Sequence, residues 1–328
     1  MFKKSREKIR KWVVNVTQAI SNQQGSVIVL VAIGLVVLLG CASLVIDVGL
    51  LYTSRSRLVN TADAAALAGA QELPMNPEMA REVAREYVLA NGVSEDELVI
   101  EIGADQQSIT VKPRQNVHFL FARVLGFTEQ EVHASATAFT GSLTGTIGVV
   151  PFSIEEQELL GGMEYVLKEG AWRDEGSTGA ALEEDGKMHG WYGALDPDNI
   201  PGGGANEYRE RVKNGYQTIL RVGDRLLIET GNMSGPTCDG VEYRIAQCKN
   251  GCTYSDHDLD CPRVMIIPVI RVVSSEEVEI TGFAAFFLEG VGGQGKDNYV
   301  VGRFVKMVAS GELGGGTDYG AYAVKLLH

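Results

Sequence analysis

From Val27 to Ile46 the chain carries no charge, and Ser43 is its single polar side chain. A helix of about twenty residues at about 1.5 Å rise spans the roughly 30 Å hydrocarbon core of a bilayer. It also makes every backbone hydrogen bond internally, which keeps a Val- and Ile-rich run helical in lipid. Between Asp47 and Leu73 no helix breaker appears apart from Gly49 and Gly69, and Pro74 supplies a stop. The pattern therefore predicts a membrane helix that continues outward as a stalk, over residues 26–73. Past Pro74 the periods shorten. A helix is predicted near 76–91, with Asn76 as cap, Pro77 in the first turn and Gly92 at the end. Strands follow near 98–103 and 108–113, then a helix near 117–126 and a strand near 131–139. Residues 74–140 thus read as a small α+β domain.

Residues 141–148 are Gly, Ser and Thr-rich and read as a linker. The remainder, 149–328, holds short β-branched runs near 226–229, 264–273, 278–287 and 299–308, with 264–273 apolar enough for a central strand. The expected class is α+β: a transmembrane helix extending into a stalk, a small α/β unit, then a β-rich distal domain with a cysteine-containing excursion at 238–261. No repeat of fixed period is present.

Charge orients this layout. The net charge is −13, yet residues 1–25 hold Lys3, Lys4, Arg6, Lys8, Arg10 and Lys11 against Glu7 alone. That tail carries +5, which leaves −18 on the rest. The positive-inside rule makes residues 1–25 a cytoplasmic tail and puts the bulk outside the cytoplasm, a single-pass membrane protein. The tail suits anionic lipid, whereas a body this acidic repels phosphate backbones, so nucleic acid is not an expected partner. Asp47 is expected to reach headgroups and water. A rival reading makes Leu38-Leu39-Gly40-Cys41 a lipobox with Cys41 lipidated after cleavage. Against it, the apolar run continues through Ile46.

Residues 60–70 are almost wholly small, so Ala62, Ala65, Ala66, Gly69 and Ala70 mark a helix-packing face. Two readings stand: packing on the chain's own domain, or seating a partner helix. The motif Asp47-x-Gly49-x-x-Tyr52, then Leu58 and the run Ala62-Asp63-Ala64-Ala65-Ala66-Leu67-Ala68-Gly69-Ala70, resembles TadG-like and TadE-like proteins of the tight-adherence (Flp) pilus-assembly group. Gly231 to Thr237, Pro262-Arg263-Val264 and Gly282-Phe283-Ala284 are similar to the distal half of some TadG-like members. The resemblance implies a lipid bilayer and other pilus-assembly or envelope proteins as partners, with a second copy of the chain also a candidate. Pseudopilins of the group carry Glu five residues into the mature chain after a Gly. That position after Gly25 is Leu30, so polymerisation as a pilin does not carry over. Val59 stands where members often have Gln. The Asp-x-Ser-x-Ser metal site of adhesion-type members is missing too.

Cys238, Cys248, Cys252 and Cys261 form an even set suited to two disulfides of unspecified connectivity, each worth about 2–4 kcal/mol. Cys248-x3-Cys252 offers half of a zinc site, but Cys238 and Cys261 have no paired spacing. Asp256, Asp258 and Asp260 alternate like calcium-loop ligands, yet the sixth and twelfth positions are Cys261 and Ile267. Gly290 to Lys296 has phosphate-loop spacing but is followed by Asp297, so a hairpin loop is expected. Gly231 to Gly235 misplaces Ser234 for an acyl-transfer elbow, and Glu155, Glu156 and Glu158 read as a surface acidic cluster. The sequence therefore points to a non-enzymatic envelope component without cofactor or metal. A pilus-independent adhesion protein is the alternative, and a carboxylate hydrolase comes third.

Overall fold

The computed structural model of the chain describes residues 23–167, 181–182, 188–189, 194–199, 204–229, 233–258, 260–274 and 276–327. The cationic cluster at Lys3 to Lys11 lies outside them, as do Gly231 and Asn232. The first helix, α1, spans Gln23–Ala70, 48 residues without a break. Every apolar side chain from Val27 to Ile46 is exposed. From Leu50 onward the helix enters protein, and Leu58, Ala62, Ala65, Ala66 and Ala70 are buried.

Helix α2 (Pro77–Ala90) packs back on this second half. Its Asn76 cap accepts a hydrogen bond from the Met79 N–H at 3.1 Å, and Ala80, Ala84 and Val88 face the alanines of α1. Behind the two helices stands an antiparallel sheet. It is built from β1 (Leu98–Ile102), β2 (Ser108–His118), β3 (Glu129–His133) and β4 (Ala136–Thr146). Strand β2 pairs with β1, β3 and β4 along its length.

Three expectations change here. The helix expected near 117–126 is the end of β2 followed by a single 3₁₀ turn, Ala122–Leu125, because Val117 is paired with Gln130 and buried in the sheet. The strand expected near 131–139 turns a corner between β3 and β4. The linker expected at 141–148 is mostly strand, since β4 runs to Thr146. Gly145 serves close approach, a Cβ there falling 2.7 Å from the Glu312 carboxylate.

The distal region forms a second sheet. Among strands of four or more residues it contains β5 (Glu164–Leu167), β6 (Arg225–Ile228), β7 (Val264–Val272), β8 (Glu277–Gly292) and β9 (Tyr299–Val305). Strand β8 pairs antiparallel with β7 and β9, and β9 with β5. The expected central strand at 264–273 is β7; of the hairpin expected at Gly290 to Lys296, Gly290 to Gly292 end β8 and the turn to β9 starts at Gly293. The last strand, β10 (Ala321–Leu327), leaves this sheet and lies antiparallel to β4, Tyr322 opposite Ser142 and Leu327 opposite Thr137. Leu143, Ile270, Ile280, Phe283, Ala321 and Ala323 share one core, so the two sheets are joined through packing. Helix α4 (Ser234–Gln247) packs on β8, and α3 (Ala205–Asn214) packs on α4, where the sequence suggested loops. Pro236 is tolerated in the first turn of α4, and Gly240 lets α4 approach Val212 of α3.

Candidate membrane-proximal contact site

The apolar span ends at Asp47, and the structure departs from expectation there. Asp47 is 2 % exposed. Its carboxylate accepts the Leu120 N–H at 2.8 Å, the Phe121 N–H at 3.1 Å and the Ala122 N–H at 2.6 Å. One anion thus satisfies three backbone donors where the chain enters its 3₁₀ turn. The loop so held is apolar and outward facing: Leu120 is 64 % exposed, Val124 90 %, Leu125 76 % and Phe127 64 %. Spacing alone could not reveal this pairing, because Asp47 and Ala122 are 75 residues apart.

One turn further, the helix faces diverge. Gly49 has nothing within 4 Å of a would-be Cβ, and Tyr52 is 75 % exposed. With Val48 and Val59 they form a stripe turned away from the domain, and Asp63 sits half-buried at its flank. Further along the helix, Ala62, Ala65, Ala66 and Ala70 are buried in the chain's own core. A Cβ on Gly69 would stand 2.7 Å from both the Ala80 carbonyl oxygen and the Ile109 Cδ1. The Ala70 carbonyl accepts the Thr140 hydroxyl at 2.8 Å, tying the helix end to β4. Of the two readings of the small-residue run, the structure takes packing within the chain. Those faces are closed to another helix.

Residues 25–72 match the family model described as Putative Flp pilus-assembly TadE/G-like. This segment is similar to the TadE/G-like family. Its limits run from the first turns of α1 to the turn after Ala70, so the matched unit is the whole helix with both its surroundings. The match does not reach the distal segments at 231–237, 262–264 and 282–284. No curated protein and no solved structure matches the chain.

Beyond the TadE/G-like segment, the structure brings together three of the four cysteines expected to form disulfides. The Cys248 and Cys261 sulfurs are 3.7 Å apart, and Cys252 joins them within 4.8 Å. Cys238 lies ten residues back along α4, about 15 Å at 1.5 Å per residue, where its sulfur meets the Asn298 amide at 3.4 Å. Every cysteine is free. The two-bridge framework is therefore not assembled, since Cys238 has no cysteine partner among the described residues. The Cys252 and Asn250 N–H groups hold the Cys248 thiol below its ordinary value, whereas burial pushes Cys261 up to about 11.

Glu156 and Glu158 line an open cleft of about 700 Å³ with Asp318 and Tyr319, whose hydroxyl donates to Glu156 at 3.2 Å. Glu155 belongs instead to a two-residue strand beside β7. A separate network missed from sequence lies under α3. Arg211 donates to Asp196 at 2.9 Å and also pairs with Asp198, and the Tyr216 hydroxyl reaches Asp198 at 2.8 Å. Nearby Glu229 is 6 % exposed, and its Oε1 has no partner among the described residues. Burial first, and Asp196 second, push its carboxyl above the ordinary range.

Proposed function

We propose that the chain is a single-pass component of the tight-adherence (Flp) pilus-assembly apparatus, its bulk outside the cytoplasm, working through protein contacts rather than catalysis. The observation carrying this reading is the abrupt change in the surroundings of α1 at Asp47. Twenty residues with no protein around them give way to a helix face wholly buried in a domain. A helix apolar on all sides needs a nonpolar solvent, and a bilayer of about 30 Å matches its length. The TadE/G-like match covers that same transition, and the cations ahead of it orient it. The loop at Leu120, Phe121, Val124, Leu125 and Phe127 then rests at the headgroup boundary. The stripe of Val48, Gly49, Tyr52 and Val59 is the partner-facing side, with Gly49 permitting close approach.

Site-specific photo-crosslinking in cells expressing the whole apparatus tests it. A crosslinker at Tyr52 is expected to capture another pilus-assembly or envelope protein, and one at Ala66 only this chain. Recovery of no such component from Tyr52 would sink the assembly role. Protection of the distal region from protease in intact cells with a permeable outer envelope would sink the orientation.

A further inference from the structure

We propose that Cys248, Cys252 and Cys261 are thiolate ligands of one tetrahedral zinc ion, and that the Asp258 carboxylate closes the fourth position. Three sulfurs converge here. Pairing any two as a disulfide would strand the third against Phe287, in the small core it shares with Cys252 and Cys261. Zinc–sulfur bonds of about 2.3 Å in a tetrahedron place sulfurs about 3.8 Å apart. The Cys248 and Cys261 sulfurs are separated by 3.7 Å.

The backbone around them is shaped for thiolates. The Asn250 and Cys252 N–H groups donate to the Cys248 sulfur, and the Arg263 N–H to that of Cys261. Gly251, at φ +65, turns the chain between the first two ligands. Asp258 Oδ2 lies 3.9 Å from the Cys252 sulfur and is oriented by the Asn250 amide at 2.7 Å. A cleft of about 280 Å³ opens over the group and gives an ion a way in. Arg263 sets its charge beside the site, donating to the Cys252 carbonyl at 2.8 Å and stacking on Phe287 at 4.5 Å. An anionic thiolate site and that guanidinium offset each other. His257, the residue before Asp258, has a buried Nδ1 without a partner among the described residues, a second donor on the same loop.

The ion would be structural. Cys248 caps α4 and Cys261 stands three residues before β7, so one metal clamps the helix to the central strand across an excursion with little core of its own. This inference goes beyond the pilus-assembly reading and does not depend on the side of the membrane.

The test uses the full chain in detergent or nanodiscs, purified from zinc-supplemented cells without added thiols. Metal analysis is expected to find about one zinc per chain. After stripping, cobalt(II) should give intense sulfur-to-cobalt charge-transfer absorption and the visible bands of tetrahedral geometry. Cys252→Ser should lose both, and the double variant Cys41→Ser/Cys238→Ser neither. If Cys252→Ser does not fold, zinc protection of the three thiols from alkylation in the wild-type chain decides instead. A metal-free chain with Cys248 and Cys261 bridged by mass spectrometry would overturn the site. So would undiminished metal in a variant lacking all three thiols. Asp258→Asn should shift the cobalt bands. A spectrum moved by His257→Gln alone would overturn the carboxylate and give the fourth position to the imidazole.

Discussion

Residues 27–46 and 58–70 are two stretches of one continuous helix, both apolar and both uncharged but for Asp63, and they are solvated in opposite ways. The first presents Val, Ile and Leu on every side and touches no protein. The second presents Ala and Gly on one face, and that face is closed against α2 and the sheet. Apolarity alone therefore does not tell where a helix lies. Large side chains all round fit lipid, which makes no demand on shape. Small ones on one side let backbones approach within contact distance, which only another protein element rewards.

The largest effect should come from breaking the lipid side. Leu35→Arg with Leu38→Arg places two charges near the middle of the span, each costing about 2.5–3.5 kcal/mol on insertion scales. The chain should leave the alkali-resistant membrane fraction, and full retention would mean that lipid does not hold this helix. Next comes the packed side. Gly69→Val forces side-chain atoms into the Ala80 carbonyl and should cost about 3 kcal/mol in denaturant titrations of the solubilised chain. Its counterpart Gly49→Val meets open space and should stay within about 0.5 kcal/mol. Equal losses at the two glycines would erase the difference between the faces.

The join between the halves gives a third comparison. Asp47→Ala leaves the amides of Leu120, Phe121 and Ala122 without their acceptor and should cost about 2 kcal/mol. It should also free the apolar loop, seen as faster amide exchange at 120–122. Unchanged exchange there would show that the carboxylate does not hold the turn.

The smallest effect concerns Glu229, buried like Asp47 but with an oxygen that has no partner among the described residues. Its folded pKa lies above the unfolded one, so folding favours the protonated form. The resulting cost is absent below about pH 4.3, the unfolded value, and grows as pH rises toward neutrality. Glu229→Gln should raise the thermal midpoint at neutral pH, with the gain vanishing in acid. A variant less stable at pH 7 would show that donors satisfy this carboxylate.

The sequence alone carried the helix, its length, its stop at Pro74 and the TadE/G-like pattern, because these depend on composition and spacing within one element. It carried β7 and the capped α2 for the same reason: a β-branched run and a local Asn-Pro start report on their own neighbourhood. It did not carry the burial of Asp47, the strand hidden in the Gly- and Thr-rich stretch after Thr140, or helix α4 behind Ser-Gly-Pro. Each of these was decided by residues far along the chain: Leu120 to Ala122, Glu312 with Tyr322, and β8. Nor could it tell which cysteines meet, since Cys261 reaches Cys248 only when α4 and β7 are docked. Local pattern sets what a segment can be. Which polar atoms find partners, and which small residues face a neighbour, is settled by contacts that loop closure brings together in three dimensions.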